Sequence, residues 1–598
     1  MSIDTQARKP YRPPQITPLG GRTSGKHAVA DIRPAGAGAG AGAGADGRAG
    51  NCLGGRVTPA LRTLVERFGS PLFIVDEVEL RARYRAFVAS FTDPEFDVQV
   101  AYSYKTNYLP AVCALLRQEG AFAEVVSGME YQLARALGNP GREIVFNAPH
   151  KSGDELERAI NDGALINLDG FDELTRAAAI ANRLGVEARV GLRINFRSGE
   201  QAWTKFGFNF ESGEASRALE RVAAHPMLRL EALHNHSGTY HLDPTIYGRS
   251  LDVLIAVARE ARRLGLAPRI VDLGGGYPSD NVLKPGFALP GQGQGTGRGG
   301  NGLAAFAEVV LGKLRKAQGA FGPRPLLVLE PGRSIVDSAV RLAASVVATK
   351  QIAGRGPAVV LDAGVNLVPT AYWYDHGIEA DPSDPPERTD RTRTGTGTGT
   401  GATGAASSAG RSDVGGRVRR EAATGVTATT VFGPLCMQID VLRERALLPP
   451  LAIGDLVVLD NVGAYCLTQS MQFIQTRPAV VLDGPGGPFL IRRRETWRDV
   501  FALDGVPAHL RTLAADSGSA LTDGGLANPV AAAAPAGFED FGSGGAGRVG
   551  GDGVFGESLD RPAGGGRLGH DGAGERLRRP DRWAHRLAGT PDLAPVGE

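Results

Sequence analysis

The sequence predicts an α/β protein: a parallel β/α barrel of eight strands, the TIM type, followed by a mainly antiparallel C-terminal β domain. Three observations point there. Eight short apolar runs recur between Val98 and Glu330, each followed by a helix-like amphipathic segment. The runs are continuous rather than alternating, as strands buried on both faces must be. After Gly332 the long helical segments stop and strand-like stretches follow one another. A doubly wound open sheet is the competing arrangement, and a count of eight favours closure.

Taken in order, residues 1–55 are rich in Pro and Gly and end in an alternating Ala-Gly run. Such a run buries almost nothing and is expected to be disordered. Phe73–Asp76 reads as a short strand before a charged helix, and is a candidate member of the second domain. The barrel strands are expected at Val98–Lys105, Phe122–Ser127, Ile144–Asn147 and Leu165–Asp169, then Arg189–Asn195, Leu230–His236, Arg269–Leu273 and Leu326–Glu330. This barrel domain spans 56–335, with a low-complexity loop at 291–302. The β domain spans 336–511, with strands expected at Leu342–Ile352, Ala358–Asp362, Leu456–Leu459 and Pro488–Arg492 and a short helix near Glu495–Phe501. A Thr/Gly-rich insert occupies 381–420 and a Gly-rich tail, expected to be disordered, runs from 512 to 598.

Composition narrows the function. With 66 basic and 64 acidic residues, mixed rather than blocked, nothing steers the chain toward nucleic acid or a membrane surface. Cys52, Cys113, Cys436 and Cys466 are scattered, without CxxC or metal spacing, so no metal site is expected and the thiols suit a reducing compartment. No apolar run is long enough to span a bilayer and the N-terminus lacks a signal core, so the expected location is the cytoplasm.

Chemistry in such a barrel sits at the C-terminal ends of the strands. Those ends carry, in order, Lys105, Ser127, Asn147, Asp169, Arg193 with Asn195, His234 with His236, the turn Gly274-Gly275-Gly276-Tyr277, and Glu330-Pro331-Gly332-Arg333. A lysine at a strand end is ordinarily solvated; the alternative is an amine placed to condense with a carbonyl cofactor. A glycine triplet after a strand makes a tight turn or turns its N–H groups to an anion. Barrels place phosphate after strands seven and eight, where the triplet and the guanidinium of Arg333 fall. Pyridoxal 5'-phosphate asks for these parts: an amine, a phosphate cradle and a partner for its ring nitrogen, for which Glu330 is the candidate, with His236 flat against the ring.

Tyr104-Lys105-Thr106-Asn107, His236-Ser237-Gly238-Thr239, Gly274-Gly275-Gly276-Tyr277-Pro278 and Glu330-Pro331-Gly332-Arg333 resemble the signatures of fold-type III pyridoxal-phosphate decarboxylases, whose barrel is alanine racemase-like. The nearest pattern is that of diaminopimelate decarboxylases, with ornithine and arginine decarboxylases as cousins. The resemblance continues through Gly433-Pro434-Leu435-Cys436, Asp440 and Gly463-Ala464-Tyr465 and covers about residues 60–500. It implies that Lys105 forms the Schiff base and His236 stacks on the ring. It implies further that Thr239, Gly274, Gly275, Gly276, Arg333 and Tyr465 hold the phosphate, that Glu330 pairs with the ring nitrogen, and that Cys436 donates a proton after carbon dioxide leaves. It also implies a homodimer with a shared site, each cysteine loop reaching into the partner's barrel.

The chain departs from that pattern where the substrate is read. The family's cysteine is followed by a glutamate that grips the substrate amine, and here Met437 stands there. The segment Asn366–Tyr374 lacks the arginine that receives a distal carboxylate. A buried unpaired charge is costly, so the expected substrate is an amino acid other than meso-diaminopimelate, larger or carrier-linked, with Tyr372, Tyr374 and Asp440 as its contacts. The alternative is an amino-acid racemase, which shares barrel and lysine; the carboxylate of Glu330 speaks for decarboxylation.

Overall fold

The computed structural model describes residues 59–505, apart from 198–204, 285–286, 288–301, 318 and 382–424, together with 507. The expected tails 1–55 and 512–598, and the low-complexity stretches 291–302 and 381–420 save for Gly302 and Asp381, lie outside the described residues.

Eight parallel strands close on themselves. They are β1 (Asp97–Ser103), β2 (Phe122–Val125), β3 (Ile144–Phe146), β4 (Leu165–Leu168), β5 (Ala188–Asn195), β6 (Leu228–His234), β7 (Ile270–Asp272) and β8 (Leu326–Leu329). Neighbours follow the order β4-β3-β2-β1-β8-β7-β6-β5, and β4 pairs with β5 to shut the ring, Ile166 opposite Val190. The strands are short and buried along nearly their whole length: Ile144, Val145 and Phe146 are all buried, as are Leu165 to Leu168. Each such side chain contributes roughly 1.5–3 kcal/mol by leaving water, which offsets the cost of ordering so compact a strand. Helices cover the outer face; Gly153–Asp162 shows why they start and stop where they do. Ser152 and Glu155 close a capping box at its N-terminus, and Gly163, at φ 70°, ends it in the left-handed region.

The expected strands run too far at several mouths. β1 ends at Ser103, so Lys105 stands in a single 3-10 turn, Tyr104–Thr106, rather than in the strand. β2 ends at Val125, two residues before Ser127, which instead caps the helix Gly128–Ala136 by accepting from the Glu130 N–H.

The second sheet has nine strands. Leu72–Asp76 sits in its middle, antiparallel to Val340–Ile352 and parallel to Ala479–Asp483, so the early strand does belong to the second domain. Gly356–Leu361 also pairs in parallel, with Thr427–Phe432, and the remaining pairs are antiparallel. Three ties seat this domain on the barrel mouth. Tyr465 N–H donates to the Thr106 carbonyl at 2.9 Å, Asn107 Nδ2 donates to the Gly463 carbonyl at 3.0 Å, and Val282–Leu283 pairs with Tyr374–Asp375. The turn that carries Lys105 is therefore held from both domains.

Candidate active site

A cavity of about 460 Å³, a size suited to a cofactor or drug-sized ligand, opens over the C-terminal ends of the strands. Lys105 stands on its wall. Its Nζ donates to Glu124 Oε2 at 2.6 Å, and Glu124 is fully buried. Burial works against the ammonium, yet the charges of Glu124 and Glu330 outweigh it and raise the lysine above its ordinary value. Glu330, also buried, accepts from Asn147 Nδ2 at 2.7 Å and has His234 Nε2 3.7 Å away. Burial pushes this carboxyl up, but His234 and then Lys105 pull harder and hold it below the usual carboxylate range. Two ionised groups of opposite sign thus share one enclosed space.

His236 lines the same cavity as a neutral ring. Burial, with Arg193 and Lys105 nearby, holds it well below the ordinary imidazole value, and its Nδ1 accepts the Gly275 N–H at 2.9 Å. The proton therefore belongs on Nε2. Arg333 is buried beneath three tyrosines, with its guanidinium carbon 5.4, 4.6 and 5.2 Å from the ring centres of Tyr240, Tyr374 and Tyr465. It pairs with Asp337 at 3.2 Å, while its Nε is buried without a hydrogen-bond partner. Tyr465 adopts φ 66°, a left-handed conformation uncommon outside glycine and concentrated at functional sites.

Of the residues given a catalytic, cofactor or substrate role from the sequence, nine meet at this cavity: Lys105, His236, Thr239, Gly275, Gly276, Glu330, Arg333, Tyr374 and Tyr465. Four do not. Gly274 is turned away from the cavity; its N–H donates to Asp272 Oδ1 at 3.0 Å, and with Gly275 N–H on His236 two of the triplet's donors are engaged inside the protein. Tyr372 is 61% exposed and packs edge-on against Phe287 and Trp373. Cys436 is exposed and is not among the residues that line the cavity. Asp440, expected as a substrate contact, has both carboxylate oxygens engaged by backbone: Oδ1 accepts from Val365 N–H at 2.8 Å and Oδ2 from Leu435 N–H at 2.7 Å. A buried carboxylate so satisfied is a clasp between two loops, not a free ligand.

Glu124, Asn167 and Asp272 escaped the sequence reading. Each lies inside an apolar run, short of the strand end where a ligand is sought; an acid or amide interrupting such a run was the available signal.

Residues 77–337 match the family described as pyridoxal-dependent decarboxylase, pyridoxal binding domain. Over three quarters of its length the chain is similar to pyridoxal-phosphate-dependent amino-acid decarboxylases. Diaminopimelate decarboxylases of Methanocaldococcus jannaschii and Mycobacterium tuberculosis are 27% and 28% identical to it, over 75% and 74% of this chain and 94% and 93% of theirs. The crystal structure of the M. jannaschii enzyme matches with a TM-score of 0.62 at 26% identity, covering 75% of this chain and 95% of that one. A lysine/ornithine decarboxylase from Vibrio vulnificus, solved with putrescine, shares the fold at TM-score 0.52 and 22% identity, over 69% of this chain and 93% of its own.

The residues present fit the cofactor. An amine and a carboxylate line one cavity, a neutral imidazole stands between the glycine turn and the open space, and the unpartnered Nε of Arg333 offers a donor to an anion. A Cβ on Gly275 would collide with the Glu330 carbonyl, and one on Gly276 would come within 2.7 Å of the Gly238 carbonyl. Only glycine lets the backbone run this close to the floor of the site.

Proposed function

We propose that this chain decarboxylates an amino acid lacking a second, distal carboxylate, with Lys105 as the residue that carries the cofactor. When bound, pyridoxal phosphate supplies an aldehyde for an amine and a ring that accepts the electron pair left by the departing carboxylate. The chain's own groups do the rest. Glu124 holds the Lys105 amine at one place on the wall. Glu330 offers an anion to the ring nitrogen, and neutral His236 can lie against the ring without adding charge. Arg333, Thr239, Gly275, Gly276 and Tyr465 would hold the phosphate, and Phe206, Trp373 and Tyr374 line the same cavity with apolar surface. Cys436, exposed on its own protomer, is offered to a partner's cavity as the proton donor in a homodimer.

One observation carries the substrate reading. The two arginines in the cavity wall already have carboxylate partners, Arg193 on Asp169 at 3.5 Å and Arg333 on Asp337 at 3.2 Å. Among the described residues, a second substrate carboxylate would meet no free arginine in the cavity wall, only aromatic rings and the neutral Gln469. A larger amino acid with an uncharged or carrier-linked end meets no such penalty.

Borohydride reduction of the cofactor-loaded protein, followed by peptide mapping, tests the role of Lys105. The pyridoxyl tag is expected on Lys105 alone; a tag on any other lysine overturns the assignment.

A further inference from the structure

A buried polar chain runs beneath the cavity. Lys105 donates to Glu124, whose other oxygen accepts from Asn147 Nδ2 at 3.0 Å; the same nitrogen donates to Glu330 Oε1 at 2.7 Å. Asn147 Oδ1 accepts from Asn167 Nδ2 at 2.8 Å, and that nitrogen also donates to Asp272 Oδ2 at 3.0 Å. Asp272 Oδ1 receives the Gly274 N–H. From Glu124 onward every side chain in this series is no more than 5% exposed. The series ties β1, β2, β3, β4 and β7 to the end of β8.

The charges along it do not balance if every acid is ionised. Among the described residues, Lys105 answers Glu124, Arg193 answers Asp169 and Arg333 answers Asp337. Glu330 faces a second cation only where His234, 3.7 Å away, carries a proton, and Asp272 has no ion-pair partner; polar atoms of the three side chains lie within 4.8 Å of one another. A protonated ring nitrogen can answer one of them. Two carboxylates in one dry site do not both ionise cheaply.

We infer that Asp272 is a positioning residue that keeps its proton and, braced by Asn167 and Gly274, holds Glu330 as the single anion facing the cofactor's ring nitrogen. Burial first, and then the charge of Glu330, push the Asp272 carboxyl far above its ordinary value, in accord with this geometry. The neutral acid has a donor that the ionised one lacks, and Glu330 beside it has an oxygen not taken by Asn147. Through the Gly274 N–H the same group also sets the turn on which Gly275 and His236 meet. The inference rests on the cofactor reading above, and its test separates the two.

The test is an infrared spectrum of the protein labelled with ¹³C-carboxyl aspartate, recorded near neutral pH with and without cofactor. An isotope-shifted C=O band of a protonated acid is expected in both states and is expected to vanish in Asp272→Asn. Asp272→Ala is expected to weaken pyridoxal phosphate binding, measured by fluorescence titration, by about 10-fold or more, the range for losing a group that braces a buried ligand. Absence of any aspartate acid band in the unsubstituted protein overturns the proposal without reference to a variant, as does a band that persists in Asp272→Asn. Failure of the unsubstituted protein to bind the cofactor would instead sink the cofactor reading, while the band would still report on Asp272.

Discussion

Lys105 owes its place to what touches it rather than to its own strand. Its ammonium lies on Glu124, and the charge of Glu124 is the largest influence raising the lysine against burial. An amine must be neutral to attack an aldehyde, so Glu124 sets the pH at which the apoprotein takes up cofactor. Glu124→Gln is expected to lower the lysine's pKa and move the pH midpoint of cofactor incorporation, followed by absorbance, downward by about a unit or more. An unmoved midpoint would show that Glu124 does not govern the amine. The lysine, Glu330 and His236 were legible in the sequence because they end strands or follow them closely. Glu124 and Asp272 were not, because a run such as Phe122-Ala123-Glu124-Val125 does not say where the strand stops. Only the tilt of closed strands, which fixes which residue faces the mouth, makes that visible.

Among the elements, two loops matter most, and Asp440 joins them. The loop after Gly356–Leu361 and the loop that carries Cys436 are pinned together by its carboxylate, and glycine is required at Gly364 and Gly433 because a Cβ there would run into the Asp440 oxygens. Asp440→Ala leaves two buried N–H groups unsatisfied and is expected to cost about 2–4 kcal/mol, at roughly 1–3 kcal/mol per group softened by water entry. The midpoint of denaturant unfolding measures it, and turnover should fall further than stability alone explains, since the Cys436 loop loses its anchor. A variant with unchanged midpoint and turnover would return Asp440 to the role of an unattached ligand. The sequence made the Gly433–Asp440 segment visible as a motif, but its resemblance to a binding motif hid a structural duty that only the hydrogen bonds reveal. Leu72–Asp76 was legible as a strand for the opposite reason: its apolar run is unmistakable, while its partners, more than 250 residues away, leave no local trace.

At the scale of the whole molecule, each domain buries a histidine that stays neutral. His376 is buried with Nε2 2.9 Å from Thr370 Oγ1 and Nδ1 3.1 Å from the Asn461 carbonyl. Burial holds its imidazole down, from 6.5 to about 4, and His241 is shifted the same way. A histidine depressed in the folded chain binds fewer protons there than when unfolded, so it contributes stability above its ordinary value that is lost as pH falls from about 6.5 to about 4. His376→Gln is expected to flatten the fall in Tm across that window; an identical slope in both proteins would contradict it. The barrel with a second β domain was readable from the strand count and the change of pattern after Gly332. The substrate was readable only as an absence of charged partners.

No helix among the described residues is long and apolar enough to cross a membrane, and the cavity over the barrel is where the chemistry must be sought. The most direct measurement is a mass-spectrometric screen in which the cofactor-loaded protein meets a panel of amino acids, meso-diaminopimelate and carrier-linked amino acids among them. The expected result is loss of carbon dioxide from a substrate with an uncharged or carrier-linked distal end, abolished in Lys105→Ala. Turnover of meso-diaminopimelate equal to or better than that of every other compound would contradict the account.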